Sequence, residues 1–302
     1  MIKYDIINKK YYRGDTVAKF DDVFDKMCLS ILKTGVSSEG EEVRPHWEDG
    51  TPAHTIKKFA VVNIYDLSKE FPVPTQRPIA FKSCVEEMLW IWQKHSNNVK
   101  DLKTRIWDSW ANEDGSIGKA YGYQLNKDST YTLEDGKKYR MNPVDKLLYD
   151  LHTTPFSRRL IVHMYNIDDL DEMNLYPCAY SMTFNVTKDK RGNKVLNAIL
   201  NQRSQDVLAA NAWNVCQYSV LLHMLARECD MYVGKLVHVI ADAHIYDRHV
   251  EIVKELIERP KYKAPKLWIN PLKRYFYEYT VDDFKLVDYE HGDQIRGVPI
   301  AI

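Results

Sequence analysis

Residues 175–214 read LYPCAYSMTFNVTKDKRGNKVLNAILNQRSQDVLAANAWN. A cysteine, Cys178, follows a proline and stands before a strand-like segment. That segment ends in a charged turn with a glycine over residues 188–194, and a second apolar strand follows over residues 195–200. The pattern predicts two adjacent strands with a thiol at the entrance of the first.

The second strand leads into a cluster of polar side chains. Arg203, Ser204 and Asp206 follow it directly, and Asn214 stands at the start of a helical run. A thiol, a fixed cation, a hydroxyl, a carboxylate and a carboxamide therefore fall within one short stretch. Their concentration predicts a functional site on two strands and a helix entrance.

The composition excludes some classes of partner. The 302 residues carry 42 basic and 42 acidic side chains, so the formal net charge is zero. A balanced chain has no broad basic surface for nucleic acid or an anionic membrane, so any anion must be held by a local cluster.

The five cysteines have neither CxxC nor zinc-type spacing, and no apolar leader or membrane-spanning run is present. We therefore expect a reduced, cytoplasmic protein. His244 and His249 are five residues apart and do not share a helix face, so we expect no metal site.

Apolar periodicity predicts the secondary structure along the chain. Helices are expected over residues 16–33, 81–93, 146–152, 212–228 and 247–259, and strands over residues 55–65, 160–165, 235–240, 267–269 and 284–286.

Several motifs resemble, in order, those of the thymidylate synthase family, whose members methylate dUMP using methylenetetrahydrofolate. The central motif is PC at 177–178 with QRSQD at 202–206 and Asn214. The others are EMLW at 87–90, IWDSW at 106–110, AYG at 120–122, SRR at 157–159, DAHIY at 242–246 and PIAI at 299–302. One such motif would be weak evidence, but their shared order makes the resemblance specific.

The resemblance implies a fold and a reaction. The fold would be α+β, in a single catalytic domain over residues 1–302. A large mixed sheet would be covered by helices on one face and would form a homodimer interface with the other. The reaction would convert dUMP and 5,10-methylenetetrahydrofolate into dTMP and dihydrofolate, without a metal.

The resemblance also assigns catalytic roles. Cys178 would add as a thiolate to C6 of the uracil, with Arg203 lowering the pKa of the thiol and binding phosphate. Glu87 would order water for removal of the C5 proton. Without the resemblance, the sequence favours an exposed helix glutamate beside Glu86 as the interpretation of Glu87. The residues assigned to catalysis are Cys178, Glu87, Tyr121, Arg203 and Asn214.

The substrate contacts implied by the family come from several segments. An arginine in the loop of residues 35–50 would reach the phosphate, although such a loop arginine could also be inert. Two adjacent arginines would be donated to the other subunit's nucleotide, and a histidine and a tyrosine would contact the ribose. The substrate set is Arg44, Arg158, Arg159, Gln202, Arg203, Ser204, Asp206, Asn214, His244 and Tyr246.

The folate contacts implied by the family include two tryptophans and the C-terminal tail. Each aromatic could instead be an ordinary core residue. The apolar tail over residues 297–302 would close over the ligands, the alternative being a permanently docked strand. The folate set is Arg77, Trp107, Trp110, Asp206, Ala210 and Ala301.

The chain departs from the family pattern at two places. Ala179 replaces the usual histidine after the cysteine, and AANAWN at 209–214 replaces Leu-Gly-x-Pro-Phe-Asn, which suggests a changed backbone path. Asn214 favours uracil over cytosine if its neighbours fix the amide orientation. Two alternatives remain: a folate-dependent pyrimidine nucleotide hydroxymethylase, and a non-catalytic nucleotide- or RNA-binding descendant.

Overall fold

The computed structural model describes residues 17–302 in full and, before residue 17, only the backbone of two short strands. The strands are β1 Ile2–Asp5, β2 Lys10–Arg13, β3 Val36–Ser37, β4 Thr55–Asp66, β5 Ser129–Thr132, β6 Lys138–Met141, β7 Ile161–His163, β8 Ala179–Lys188, β9 Lys194–Asp206, β10 Tyr232–Tyr246, β11 Lys266–Ile269 and β12 Phe284–Val287. The α-helices are α1 Lys19–Thr34, α2 Phe81–Trp92, α3 Gly122–Leu125, α4 Pro143–Thr153, α5 Asn211–Glu228 and α6 Val250–Glu258.

The central sheet has the strand order β3-β4-β10-β9-β8-β7. Its pairs are antiparallel except β9 and β10, which run parallel, so the sheet is mixed as predicted. The predicted turn over residues 188–194 joins β8 to β9 as a hairpin. The carboxylate of Asp189 accepts the backbone N–H groups of Arg191 and Asn193, which stabilises this turn.

Helix α5 is the crossover between the parallel strands β9 and β10, which cannot be joined by a tight turn. Nearly all of its side chains are buried, between the sheet on one side and α2 on the other. The crossover places the first turn of α5, with Asn214, beside the end of β9. The end of strand β9 and the start of helix α5, which the sequence predicts to carry the site, are therefore neighbours in space.

The predicted elements are present, with differences at their ends. The predicted helix start at Thr16 lies outside the described residues. Strand β10 runs beyond residue 240 to Tyr246 because β4 and β9 pair with it along this length. The helix predicted over residues 247–259 begins as a 3-10 turn, Asp247–His249, before α6. The β5–β6 hairpin was not predicted.

The two faces of the sheet have different environments. Helices α1 and α5 pack on one face. On the other face, paired positions on five strands form one row: Ile161, Thr183, Ile199, Val237 and Ile64. Ile161 and Ile64 are each 53% exposed and Ile199 is 38% exposed. The single chain thus leaves open an apolar row that crosses the sheet.

Candidate active site

Cys178 lies directly before β8, and the adjacent strand β9 holds Arg203 beside it. The Arg203 backbone N–H donates to the Cys178 carbonyl at 3.0 Å. The Arg203 guanidinium donates to the carbonyls of Tyr176 at 2.7 Å and Pro177 at 3.2 Å, and one of its nitrogens lies 3.6 Å from the Cys178 Sγ. The strand pairing and these contacts fix a cation against the thiol.

The environment of the Cys178 thiol opposes its ionisation. Burial raises the pKa of Cys178 above its ordinary value, and the charges of Arg203 and Arg44 oppose this rise without reversing it. The charge of Arg203 does lower the pKa of the thiol, as expected, but burial outweighs it. The arginine reduces the cost of burying a thiolate but does not remove it.

Tyr121 supports the backbone of Cys178. Its hydroxyl oxygen accepts the Cys178 backbone N–H at 2.9 Å. Tyr121 has a φ of +47°, an uncommon conformation for a bulky residue. The following Gly122 is required because a Cβ there would lie 2.0 Å from the carbonyl oxygen of Ser96. The absence of a side chain at Gly122 therefore allows a close approach of the backbone beside this phenol.

Glu87 is buried in the face of α2 that packs on the core. Its side chain is 6% exposed, so the alternative of an exposed helix glutamate is wrong. The indole Nε1 of Trp107 donates to Glu87 Oε1 at 2.9 Å, and the indole of Trp213 donates to Oε2. Burial raises the pKa of Glu87 to about 7, and the indole hydrogen bonds oppose this rise. A carboxyl with this pKa can exchange protons near neutral pH.

The carboxamide of Asn214 lies between two glutamines. Its Oδ1 accepts from Gln202 Nε2 at 3.4 Å, and its Nδ2 donates to Gln217 Oε1 at 3.3 Å. Gln217 follows Asn214 by one helical turn on α5, so the two side chains are neighbours on the helix surface. Both polar atoms of the Asn214 amide therefore have a partner within the chain.

The ends of this chain of amides fix its direction. Gln217 Nε2 donates to the Cys84 carbonyl at 3.4 Å, and a carbonyl can only accept. At the other end, Gln202 Oε1 contacts His238 Nε2. Burial lowers the pKa of His238 to about 3, so the imidazole is neutral, and its tautomer with the hydrogen on Nε2 is the one that can donate to this oxygen. Reversing any one amide would therefore place two donors or two acceptors together.

A cavity of about 450 Å³ opens between the loop before β4 and the strands β9 and β10. It contains five of the residues predicted to bind substrate: Arg44, Arg203, Ser204, His244 and Tyr246. Lys57 also lines it and was not predicted. Three acidic side chains, Glu41, Glu42 and Asp242, line it as well, and Lys57 is paired with Glu41 at 3.0 Å. Arg44 and Arg203 are therefore the candidate anion ligands of the cavity.

The imidazole of His244 is held in place within this cavity. Its Nδ1 lies 2.7 Å from Asp242 Oδ1, and its ring packs edge-on against Tyr246 with 5.1 Å between centroids. The carboxylate beside Nδ1 favours a hydrogen on that nitrogen, which leaves Nε2 for a ligand. The predicted pair of ribose contacts is therefore adjacent and oriented.

Three predicted arginines lie elsewhere. Arg158 and Arg159 are exposed in the turn before β7 and do not line the cavity. The guanidinium of Arg77 is bound within the chain, where it donates to the Leu208 carbonyl. Its contact with a folate tail remains a prediction.

Asp206 is part of a network that reaches the C-terminal tail. Its carboxylate accepts the backbone N–H groups of Leu208 and Ala209, each at 3.0 Å, and lies 3.6 Å from His249 Nδ1. Burial favours a higher pKa for Asp206, but the nearby His249 imidazole and the backbone N–H of Ala209 hold the pKa below its ordinary value. His249 Nε2 lies 2.7 Å from the Pro299 carbonyl.

The tail also pairs with the loop that carries Arg44. Ile302 N–H donates to the His46 carbonyl at 3.0 Å, and His46 N–H donates to the Ile302 carbonyl at 2.9 Å. Ala301 is half-buried and Ile302 is exposed. Two backbone hydrogen bonds thus hold the end of the tail close to Arg44, which lines the cavity.

The remaining residues of the predicted folate set lie near Glu87 and Asp206. The rings of Trp107 and Trp110 meet edge-on with 5.6 Å between centroids, and Trp107 also packs on Tyr121 at 5.3 Å. Ala210 immediately precedes α5. Their roles toward folate remain predictions.

Sequence reasoning missed Trp213, Gln217, His238 and Lys57 as members of the site. Gln217 could have been found, because it follows Asn214 by one helical turn. Trp213 was considered only as a departure from the family pattern. His238 gave no local signal, because its contact with Gln202 depends on how β9 and β10 are paired.

Within residues 17–302, no group of three or more histidine, cysteine, aspartate or glutamate side chains is arranged so that it could hold a metal ion. In the same part of the chain, no helix is both long and apolar enough to cross a membrane.

Comparisons with known proteins agree with the motifs. A sequence model described as thymidylate synthase matches residues 22–301. Thymidylate synthases of Bacillus mojavensis and Bacillus phage phi3T are each 41% identical over 283 residues, covering 92% of this chain and 98% of theirs. The solved structure of thermostable thymidylate synthase A from Bacillus subtilis superposes with a TM-score of 0.87 at 39% identity, covering 94% of this chain and all of that one. With the cysteine, arginine and asparagine of the central motif in place, the chain belongs to the thymidylate synthase family.

Proposed function

We propose that this chain converts dUMP and 5,10-methylenetetrahydrofolate into dTMP and dihydrofolate, with Cys178 as the nucleophile. The observation that carries this assignment is the Arg203 guanidinium, which lies 3.6 Å from the Cys178 thiol and also lines the anion cavity. One cation can thus stabilise a thiolate and bind the phosphate of the same substrate.

The nucleotide is held so that its C6 faces the thiol. Arg203, Ser204 and Arg44 bind the phosphate, while His244 and Tyr246 contact the ribose. Addition of the Cys178 thiolate to C6 converts the ring into an enolate, and its C5 then attacks the one-carbon unit. Loss of the C5 proton then accompanies cleavage of the bond between the transferred carbon and the folate nitrogen, which leaves an exocyclic methylene on C5. A hydride from the resulting tetrahydrofolate reduces this methylene to methyl as Cys178 leaves, and dihydrofolate is released.

Asn214 and Glu87 act on the base. The fixed Asn214 amide presents one acceptor and one donor, which match N3–H and O4 of uracil and mismatch cytosine. Glu87, acting through water, assists removal of the C5 proton. Tyr121 keeps the Cys178 backbone in place through its hydroxyl.

Folate lies over the nucleotide on the side of Trp107, Trp110 and Ala210. The flat aromatic faces suit a flat ring, and Asp206 provides a carboxylate near it. Arg77 is assigned to the glutamate tail, which requires it to exchange its contact with the Leu208 carbonyl for the ligand. Ala301 and the tail shield the site from water.

A homodimer with shared active sites follows from the open face of the sheet. The apolar row defined above would be buried by a second copy of the chain. Arg158 and Arg159 stand just before Ile161, which belongs to that row, so they lie at the edge of the proposed interface. From there they can reach the phosphate of the partner's substrate.

The reaction is tested by incubating the purified protein with dUMP and methylenetetrahydrofolate and analysing the products by mass spectrometry. We expect dTMP and dihydrofolate in equal amounts. Hydroxymethylated nucleotide would favour the hydroxymethylase, and no product would favour the binding protein. Cys178→Ala should abolish turnover, whereas Cys229→Ala, at the far end of α5, should retain it.

The shared site is tested by mixing two inactive variants, Cys178→Ala and Arg158→Ala/Arg159→Ala. Random exchange would make half of the dimers mixed, and each of these would contain one complete site. We therefore expect about a quarter of the wild-type activity. Demonstrated subunit exchange without recovered activity would contradict the shared site.

We further propose that residues 1–302 form one catalytic domain and that the enzyme works in the cytoplasm. The buried apolar residues form one cluster that extends from Phe20 to Phe284, and all five cysteines are free thiols. A single unfolding transition seen by every probe would agree with one domain. Recovery of the protein in the membrane or secreted fraction would contradict the location.

A further inference from the structure

Trp213 contacts α2 at two points. Its backbone carbonyl accepts the Cys84 Sγ–H at 3.2 Å, and its indole Nε1–H donates to the Glu87 carboxylate. Cys84 and Glu87 are three residues apart and therefore neighbours on one face of α2. The first contact fixes the backbone of Trp213 against α2, and the second shows where the indole points.

The two oxygens of Glu87 have different donors. Trp107 donates to Oε1 and Trp213 to Oε2, so rotation of the carboxyl group would break both hydrogen bonds. The side chain of Gln217 also acts to lower the pKa of Glu87. An ionised carboxylate offers about four acceptor positions, so the two indole donors leave about two positions for water or substrate.

An indole can donate a hydrogen bond but cannot accept one. Two indoles on the two oxygens therefore favour the carboxylate over the carboxylic acid, because the acid must place its hydrogen on one of those oxygens. We propose that Trp213 is a positioning residue that keeps Glu87 ionised and aimed, through its free acceptor positions, at the proton removed from C5 of dUMP. This inference rests on the proposed function.

The effect of Trp213 opposes that of burial. Burial raises the pKa of Glu87, and the indole hydrogen bonds reduce this rise, so that the pKa reaches about 7. The net value lies close to a working pH at which both protonation states are populated. Loss of one indole N–H should raise the pKa further and leave less carboxylate at neutral pH.

The test is Trp213→Phe, which retains an aromatic ring but lacks the N–H. We expect the acidic limb of the kcat profile to move to higher pH by about one pH unit. At pH values on the acidic side of the profile, turnover should fall about tenfold relative to wild type, and it should recover at alkaline pH. Binding of dUMP should not change. Exchange of the C5 hydrogen of dUMP should show the same shift.

Two comparisons separate positioning from packing. Trp268→Phe, in β11 and 37% exposed, is the matched control and should leave the profile unchanged. In a Glu87→Gln background, Trp213→Phe should cause no further pH-dependent loss, because the group through which it acts is absent. If phenylalanine prevents folding, a benzothienylalanine at position 213 keeps the shape of tryptophan and removes only the N–H.

An unchanged acidic limb in Trp213→Phe would overturn the inference. A loss of turnover that is equal at every pH and persists in the Glu87→Gln background would overturn it as well. A wild-type protein that forms no dTMP would overturn the proposed function instead. In that event, the pKa of Glu87 still decides the inference. It can be measured by 13C NMR of protein with labelled glutamate, in which the signal that is missing from Glu87→Gln belongs to Glu87. A higher Glu87 pKa in Trp213→Phe supports the inference, and an unchanged pKa refutes it.

Discussion

The nucleophile and the proton-transfer group of this site are held by different kinds of structure. Cys178 and Arg203 meet because their strands pair in a hairpin, and backbone hydrogen bonds set their distance. Glu87 meets Trp107 and Trp213 only because α2, a loop and α5 pack together. The first arrangement depends on strand register, and the second depends on side chains from distant segments. Substitutions should therefore affect the two halves in different ways.

Apart from loss of the nucleophile itself, the largest effect is expected at Glu87. Glu87→Gln removes the proton acceptor while keeping the shape of the side chain, so kcat should fall by about a thousandfold with dUMP binding nearly intact. Glu86→Gln, one residue away and only half-buried, is the matched control and should retain activity. A fall in dUMP affinity comparable to the fall in kcat would show that Glu87 serves substrate binding instead.

The same substitution should change how stability depends on pH. Because the folded-state pKa of Glu87 is raised from 4.5 to about 7, its contribution to stability is most favourable below pH 4.5 and is lost as the pH rises through 7. Between pH 4.5 and pH 8, wild type should lose up to about 3 kcal/mol that Glu87→Gln does not lose. Urea unfolding at the two pH values measures this, and parallel losses in both proteins would contradict it.

The two halves also differ in how well the sequence predicts them. The strand–turn–strand pattern around Cys178 and Arg203 is local, and hairpin pairing then fixes which residues face each other. Glu87 had two open interpretations because helical spacing does not show what covers a helix face. The partners Trp213 and His238 depend on packing and on strand pairing across the sheet. The fold class was predicted, whereas the contacts that tune the site were not.

The second prediction concerns the register-dependent half. Arg203→Lys keeps the charge but loses the planar group that reaches the carbonyls of Tyr176 and Pro177 together with the thiol. We expect kcat/KM for dUMP to fall about a hundredfold, because a misplaced cation serves both the phosphate and the thiol poorly. Arg191→Lys, in the exposed hairpin turn, should change nothing measurable. Full activity in Arg203→Lys would show that charge alone is sufficient.

The third prediction tests the C-terminal tail. The tail contacts His46, in the loop that carries Arg44, and it contacts His249, which lies beside Asp206. Deleting Ile302 removes the two backbone hydrogen bonds to His46. We expect dUMP binding to remain nearly intact, turnover to fall about tenfold and water-trapped or aborted product to increase. Unchanged turnover would contradict a lid. Equal losses of binding and stability would favour a permanently docked strand.

The last prediction concerns Gln217, which touches both halves. It orients the Asn214 amide and also acts to lower the pKa of Glu87. Gln217→Leu frees the Asn214 amide to rotate, and a rotated amide matches cytosine as well as uracil. The loss of one neutral hydrogen bond should lower discrimination between dUMP and dCMP about fivefold, measured as the ratio of their binding constants.

This ratio isolates the base-reading role of Gln217, because any effect of the substitution on Glu87 acts equally on both nucleotides. Ser219→Ala is the matched control. Its hydroxyl bonds only the Val215 carbonyl of its own helix, so the ratio should not change. An unchanged ratio in Gln217→Leu would show that Gln202 alone orients Asn214, and base recognition would then belong entirely to the strand-paired half of the site.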